Sequence, residues 1–204
     1  PFEKLNNLLK NIIPNKNYTP SILTIGEPQF ETPTFIQESL SQNSSLLKKY
    51  PNRKCKVYLL HGDMTEEEMH ALYKHKKIKA FVSLSHGEGF GLPHFEASYS
   101  GLPVVAPEWS GYLDFLCMPK KDKKGREKMK PHFATVEYQL QPVQKEAVWE
   151  GVLQADSMWA YAQQGSYKMR LREVFKDRGR FISQAKKLQK YNLKNFEVEK
   201  QYDK

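Results

Sequence analysis

The sequence predicts an α/β fold in which a parallel sheet is covered by helices on both faces. Short apolar runs bounded by turn residues alternate with longer stretches of helical periodicity. The runs are nearly continuously apolar, as in strands that are buried on both faces. They lie at 21–26, 56–61, 80–85 and 103–106, with a weaker one at 132–136. Strands and helices alternating at these lengths indicate a single doubly wound parallel sheet.

Helical periodicity connects these strands and continues after the last of them. The predicted helices lie at 2–13, 34–49, 66–75, 92–100, 145–163, 166–177 and 179–196. Thr65, followed by a carboxylate three residues later, predicts a capping box at the start of the 66–75 helix. We expect Trp149, Trp159 and Tyr161 to pack among the last helices. The sequence thus predicts one domain, 1–204, with a sheet core at about 20–140 and a helical segment at about 145–200.

Composition excludes several classes of protein. Of the 204 residues, 39% are hydrophobic and 27% charged, which argues against fibrous and wholly disordered chains. No apolar run approaches the roughly 18 residues that a membrane-spanning helix needs. The two cysteines, Cys55 and Cys117, favour neither a disulfide scaffold nor a zinc site. We therefore expect a soluble cytoplasmic protein with reduced thiols.

The formal net charge of +9 is unevenly distributed. Residues 120–130 hold seven basic and two acidic residues, and residues 168–204 hold twelve basic and five acidic ones. Segments of this kind bind nucleic acid or anionic lipid, or only line a solvated face. We expect 120–130 to be a mobile surface loop, because it lacks aromatic side chains to stack on bases. These segments leave open that the protein binds peripherally to a membrane and that the acceptor molecule on which it acts is anionic.

The residues with a chemical signature lie between the third and fourth predicted strands. Gly87, Gly89 and Gly91 alternate in a segment that we call the glycine loop, residues 86–91, and Pro93 fits the first turn of the helix that follows. Backbone N–H groups at such a loop and at a helix N-terminus suit a phosphate or a nucleotide diphosphate.

Two carboxylates bracket this predicted anion site. Glu88 belongs to the loop and Glu96 to the first turns of the helix. A carboxylate accepts hydrogen bonds from vicinal hydroxyls, so the pair suits a phosphorylated sugar. Glu96 also fits a purely structural role, in which its negative charge interacts favourably with the positive end of the helix dipole.

The segment from Glu88 to Ala106, with Glu88-Gly-Phe-Gly-Leu-Pro, Glu96-Ala and Gly101-Leu-Pro-Val-Val-Ala, resembles the donor-binding signature of group 1, family 4-like retaining glycosyltransferases. The resemblance extends upstream through residues 61–73 and downstream through residues 109–114. It implies a Rossmann-like sheet, the C-terminal half of the GT-B fold, with extra C-terminal helices. It also implies transfer of a glycosyl group from a nucleotide-diphosphate sugar to a hydroxyl acceptor, with retention and without an obligatory metal or other cofactor.

The resemblance also implies roles for individual residues. Glu88 would approach the donor sugar as the catalytic residue, and Glu96 would hold the ribose. The backbone of the loop and of the helix start would meet sugar hydroxyls and phosphate, and His86 would contact the ligand from within the loop. The nucleobase would lie near the turn after the second strand. The donor-binding positions are Gly89, Phe90, Gly91 and Leu92. The nucleobase-side positions are His61, Gly62, Asp63 and Met64.

The family's acceptor-binding N-terminal domain is absent from these residues, so we expect a donor-binding fragment with little activity of its own. Its partners would be the nucleotide sugar and that missing domain. Two alternatives stay open: a non-catalytic module that binds a nucleotide or sugar phosphate, and a protein that binds polyanions. The six histidines have no spacing typical of a metal site, and apart from His86 we interpret them as structural or surface residues.

Overall fold

The structure, a computed structural model, describes residues 21–26, 48–49, 51–52, 56–61 and 64–196. The chain divides into two compact units, residues 1–72 and 73–204. The predicted helix at 2–13 lies outside the described residues, as does the one at 34–49 apart from residues 48 and 49. Gly62, Asp63 and Cys55 also lie outside them.

In the first unit two strands pair in parallel. Strand β1 (Ser21–Gly26) runs beside β2 (Lys56–His61), with Ser21 opposite Lys56 and Gly26 opposite His61. Helix α1 (Glu66–Lys74) begins after β2 and crosses the boundary between the units. Its N-terminus has the predicted capping box: the Thr65 N–H donates to Glu68 Oε2 at 3.0 Å, and the Glu68 N–H donates to Thr65 Oγ1 at 3.2 Å.

The second unit contains a parallel sheet and two antiparallel hairpins. In chain order its elements are β3 (Phe81–Val82), α2 (Leu92–Tyr99), β4 (Val104–Pro107), α3 (Leu113–Leu116), β5 (Cys117–Lys121), β6 (Glu127–Pro131), β7 (Ala134–Val136), β8 (Tyr138–Pro142), a 3-10 helix (Lys145–Ala147), β9 (Met158–Ala162), α4 (Gln164–Lys176) and α5 (Arg178–Asn195). The parallel sheet has the order β3-β4-β7. The predicted α/β class is confirmed, because parallel strands alternate with helices in this unit and pair in the first.

Strand β4 forms the centre of this sheet, and all four of its residues are buried. Val105 pairs with Val82 on one side and with Ala134 on the other. Val174 of α4 and Phe181 of α5 join Val105 in one apolar cluster. Both C-terminal helices occur close to the predicted positions, and Val174 and Phe181 face this core, whereas Phe175 is 55% exposed.

Strand β3 is shorter than the predicted 80–85 run. The Ser83 N–H still donates to Val105 O at 3.0 Å, but Ser83 Oγ then accepts from the Ser85 N–H at 3.4 Å and donates to Ser85 Oγ at 3.2 Å. Such local side-chain bonds compete with the ladder of a sheet. The strand therefore ends where the serines begin.

The prediction of a helix at 145–163 is wrong. Apart from the single 3-10 turn, the segment contains the strand β9, which pairs antiparallel with β8. Gly151 takes a left-handed conformation with φ of 79°, which interrupts a helix, and long-range pairing with β8 overrides the local periodicity. Trp159 and Tyr161 consequently lie on a strand and not among the last helices.

Residues 120–130 lie at the surface as predicted, but the prediction of a loop is wrong. Residues 117–131 form the hairpin β5–β6, with Lys120 opposite Lys128 and Lys121 opposite Glu127. The hairpin lies in the connection between β4 and β7, and nearly all of its residues beyond Cys117 are exposed.

Helix α5 packs on α2 through buried polar groups. The Asn192 side chain donates from Nδ2 to Ser98 Oγ at 3.0 Å, and Ser98 Oγ donates to Phe95 O at 2.9 Å. Gln189 donates from Nε2 to Tyr99 O at 2.9 Å. These bonds fix α2, and with it the N-terminal end of that helix. Within the described residues, none of the helices combines the length and the apolar character that crossing a membrane requires.

Candidate functional site

The glycine loop leads from the end of β3 to the N-terminus of α2. Gly91, the residue before α2, has a φ of 85°, and a Cβ there would lie 3.2 Å from His94 Nδ1 and from the Tyr112 side chain. Both the conformation and the close contacts favour glycine. Pro93 occupies the first turn of α2, and no side chain caps this end of the helix. Backbone N–H groups therefore remain available at the helix start.

A second loop, residues 108–112, follows the neighbouring strand β4, and we call it the serine loop. The Glu88 N–H donates to Ser110 Oγ at 2.7 Å, and the Ser110 hydroxyl donates to Glu88 O at 2.5 Å. The Gly111 N–H also donates to Glu88 O, at 3.3 Å. Because β3 and β4 are parallel neighbours, the two loops leave the sheet at the same edge, where ligands bind in sheets of this type.

The backbones of the two loops approach each other more closely than any side chain would permit. A Cβ on Gly111 would lie 1.8 Å from Gly89 O, so only glycine fits at position 111. Ser110 itself has a φ of 83°, the one positive φ of a non-glycine residue in the described part of the chain. This conformation costs about 1–2 kcal/mol relative to the right-handed region. Strain of this kind concentrates at ligand-binding and catalytic sites.

The structure places Glu88 in the loop and Glu96 on the following helix, as the sequence predicts. Glu88 is half-buried, and no other described residue bonds its carboxylate. Glu96 is exposed on α2. Gly89 is exposed, and a Cβ built there meets nothing within 4 Å. The described part of the chain therefore offers no packing reason for a glycine at position 89.

Phe90 and Leu92 bring apolar surface to the same loop. Phe90 is 46% exposed, although its ring contacts those of Phe95 and Phe115 at centroid distances of 5.5 and 5.0 Å. Leu92, at the start of α2, is 62% exposed. Both side chains thus remain accessible beside the available N–H groups.

His86 anchors the beginning of the glycine loop to strand β9. Its Nδ1 forms a hydrogen bond of 2.9 Å with Ala160 O, and His86 O accepts from the Ala160 N–H at 3.3 Å. The ring stacks on Trp159 at 4.8 Å with an interplanar angle of 6°, and it contacts Tyr161 at 4.3 Å. These contacts give the ring a structural role, and its contact with a donor stays a prediction.

His94 lies beneath the loop, where it is 1% exposed. Its ring stacks on Tyr112 at 4.3 Å and meets the ring of Phe81 edge-on at 5.1 Å. Neither ring nitrogen has a hydrogen-bond partner among the described residues. Burial disfavours the charged imidazolium and lowers the pKa of His94 to about 4. The imidazole is therefore neutral at physiological pH.

Tyr112 continues this packing from the serine loop. It is fully buried, and its hydroxyl donates to Pro107 O at 3.1 Å. Burial raises the pKa of its phenol, and the nearby charge of Glu88 adds to the effect. The phenol therefore acts as a fixed donor and does not ionise in the physiological range.

The four predicted nucleobase-side residues belong to the first unit. His61 ends β2, Met64 is half-buried before α1, and Gly62 and Asp63 lie outside the described residues. Their proximity to the donor stays a prediction. The residues described contain no group of three or more His, Cys, Asp or Glu side chains placed to hold a metal ion.

Sequence reasoning noticed residues 109–114 but missed the function of Ser110 as the bridge between the loops. A serine followed by a glycine after a buried strand is compatible with many turns. A combination of three features could have identified it: a short strand, a Ser-Gly pair directly after that strand, and a glycine loop after the preceding strand. Loops that follow two neighbouring parallel strands lie at the same end of the sheet and can therefore contact each other.

A family model for glycosyl transferases group 1 matches residues 37–124, somewhat under half of the chain. This segment is similar to that family. The match includes both loops, α2 and the start of the β5–β6 hairpin. It supports a glycosyltransferase in general terms, with nucleotide sugars as the family's usual donors. No curated protein matches the chain.

Replacing Ser110 by alanine should loosen the glycine loop. The variant loses both hydrogen bonds to the Glu88 backbone while it keeps the left-handed conformation, so we expect the free energy of unfolding to fall by about 1–3 kcal/mol. Ser110→Gly loses the same bonds but relieves the strain, and it should be less destabilised than Ser110→Ala by about 1 kcal/mol. Urea denaturation of the three proteins measures both differences. Equal stability of wild type and Ser110→Ala would contradict this role of Ser110.

Burial of a neutral His94 should make the protein acid-sensitive. The folded-state pKa of about 4 lies below the ordinary value of 6.5, so below pH 6.5 the unfolded state binds a proton that the folded state does not. His94 should therefore lower the free energy of unfolding by up to about 3 kcal/mol as the pH falls from about 6.5 to about 4, with no further loss below that range.

The test compares urea denaturation of wild type and His94→Phe at several pH values between 7 and 4. Phenylalanine keeps the stack on Tyr112 but does not titrate, so the stability difference between the two proteins should shift in favour of the variant as the pH falls. A difference that does not depend on pH would contradict the buried neutral imidazole.

Proposed function

We propose that the chain is the donor-binding domain of a group 1 retaining glycosyltransferase. It would bind a nucleotide-diphosphate sugar, and the enzyme would transfer the glycosyl group to a hydroxyl acceptor with retention of configuration. The observation that carries the proposal is the pair of interlocked loops at the carboxyl edge of β3 and β4, with a half-buried carboxylate and an uncapped helix N-terminus beside them. The match to the group 1 family over residues 37–124 supports it independently.

The diphosphate would lie against the start of α2 and the glycine loop. The available backbone N–H groups and the positive end of the helix dipole attract an anion there. As the bond to the sugar breaks, negative charge grows on the diphosphate, and donors that are already in position stabilise it without reorganisation. The bonds from Ser110 to the Glu88 backbone supply that rigidity on the loop side.

Gly89 would let the donor approach the loop backbone. No described atom lies within 4 Å of a Cβ built at this exposed position, so protein packing does not explain the glycine. A ligand that occupied the same space would exclude a side chain. Phe90 and Leu92, both partly exposed, would cover the apolar face of the sugar or nucleoside.

The two carboxylates would hold the sugars at the two ends of the donor. Glu88 would face the transferred sugar, where its negative charge stabilises the positive charge that develops near the anomeric carbon. Glu96, on the exposed side of α2, would accept hydrogen bonds from the ribose hydroxyls. We further propose that a separate domain binds the acceptor and is needed for turnover.

Gly89→Ala should separate folding from donor binding. Because no described atom lies within 4 Å of the added methyl group, the free energy of unfolding without ligand should change by less than about 0.5 kcal/mol. Nucleotide-sugar affinity should nevertheless fall, by an amount that calorimetry measures. The matched control is Gly165→Ala on α4, where the added Cβ also meets nothing, and it should leave affinity unchanged. Unchanged affinity in Gly89→Ala would contradict a donor against this loop.

Replacing Glu96 by glutamine tests the ribose assignment. The substitution removes a charge-assisted hydrogen bond of about 1.5–3 kcal/mol, so affinity for the nucleoside diphosphate should fall about 10- to 150-fold. Thermal shift against uridine, guanosine and adenosine diphosphates first identifies the base, and calorimetry then compares the variants. Glu150→Gln, another exposed carboxylate of the same unit, is the control. If both variants bind as tightly as the wild type, Glu96 does not hold the ribose.

A further inference from the structure

The hairpin β5–β6 carries lysines on both strands, and the proposed donor site makes no use of them. We propose that this hairpin is a docking surface for a bilayer rich in anionic lipid. Four features support this proposal. The lysines face one another across the two strands, and the acidic residues of the hairpin do not form ion pairs with them. Arginines at the junction of the C-terminal helices are paired, and the hairpin lacks the side chains that read or stack on bases.

The register places like charges beside one another. Lys120 lies directly opposite Lys128, and Lys130 follows two residues later on the same face, opposite Met118. Like charges at directly opposed positions of an antiparallel pair repel each other and destabilise it. Beyond Cys117 and Met118, nearly all residues of both strands of the hairpin are exposed, including all three lysines, which are accessible to an external surface. An external anionic surface would remove this repulsion.

Neither acidic residue of the hairpin forms an ion pair with these three lysines. Asp122 accepts from the N–H groups of Lys124 and Arg126 within the turn, and its Oδ2 pairs with Arg126 Nε at 3.0 Å. These contacts lower the pKa of Asp122, and the nearby charge of Lys130 adds to the effect. Glu127 lies on the opposite face, across from Lys121. Lys120, Lys128 and Lys130 have no ion-pair partner among the described residues.

The junction of the basic C-terminal helices is different, because two of its arginines form ion pairs. Arg170 pairs with Glu173 at 2.9 Å and donates from Nε to Thr135 O at 2.7 Å. Arg180 pairs with Asp177 at 2.9 Å and lies over the Phe181 ring. These two arginines therefore contribute to the fold, whereas Lys120, Lys128 and Lys130 form no ion pair with another described residue.

The side chains of the hairpin favour lipid headgroups over nucleic acid. Residues 117–131 include no aromatic residue that could stack on a base and no Asn or Gln that could read a base edge. The one arginine in this range is paired with Asp122, so the free cations are lysines. Lysine is a flexible point charge that suits a fluid array of headgroups, whereas planar recognition of phosphate and bases relies on arginine.

The position of the hairpin would bring the proposed donor site to the membrane surface. Only α3 separates the serine loop from β5, and the His132 N–H donates to Leu116 O at 2.9 Å to close the base of the hairpin. A membrane-bound hairpin would therefore hold the serine loop close to the headgroups. The docking surface does not depend on the donor assignment and can be tested without any nucleotide.

The test is cosedimentation of the 204-residue chain with vesicles of phosphatidylcholine alone and of equimolar phosphatidylcholine and phosphatidylserine. We expect binding only to the anionic vesicles, and binding that weakens as salt rises. A triple variant, Lys120→Gln, Lys128→Gln and Lys130→Gln, should bind the anionic vesicles about 100-fold more weakly, since each basic residue near such a surface contributes about 1 kcal/mol.

The matched control removes three exposed lysines of α5 instead, with Lys186→Gln, Lys187→Gln and Lys190→Gln, so that the net charge falls equally. It should retain most of the binding. The hairpin variant should also melt no lower than the wild type, because it loses a repulsion between Lys120 and Lys128. Three results would each overturn the proposal: equal loss in both triple variants, equal binding to neutral vesicles, or tighter binding to double-stranded RNA than to anionic vesicles at the same salt concentration.

Discussion

The geometry of the site depends on one hydroxyl group. Ser110 Oγ accepts from the Glu88 N–H and donates to Glu88 O, so both backbone groups of the central residue in the glycine loop are bound to the neighbouring loop. Gly111 makes this possible, since any side chain there would collide with Gly89 O. The left-handed conformation of Ser110 is the energetic cost of this arrangement. A flexible carboxylate is thereby held on a rigid backbone, as a preorganised site requires.

Aromatic packing fixes the same loop from two further directions. His94 and Tyr112 stack beneath Gly91, and His86 stacks on Trp159 of β9 at the other end. The loop is therefore defined by segments far apart in the chain, namely the serine loop and the β8–β9 hairpin. A short glycine-rich segment would otherwise sample many conformations. The conformation of the glycine loop is therefore set by tertiary contacts and not by its own sequence.

The sequence predicted the elements whose signals are local. Short apolar runs rich in β-branched residues identified the strands of both parallel pairings, and the spacing of Glu88, Pro93 and Glu96 identified the loop and the helix that follows. It failed where cross-strand pairing, and not the pattern of the segment itself, decides the structure. The 145–163 segment has helical periodicity, yet Trp159 and Tyr161 pair with residues of β8, and the basic segment at 120–130 forms a hairpin through cross-strand bonds. Ser110 was not predicted, because its function depends on which strands are neighbours.

The β5–β6 hairpin also bears on how the chain folds. Strands β4 and β7 are neighbours in the sheet, but residues 108–133 separate them, and closing so long a connection has an entropic cost that grows with its length. A hairpin forms locally within about 1–10 µs, and here its ends are joined by the bond between His132 and Leu116. Once it has formed, only the serine loop, α3 and two residues before β7 remain to be closed. The hairpin thus shortens the stretch of chain that must be closed before β4 and β7 can pair.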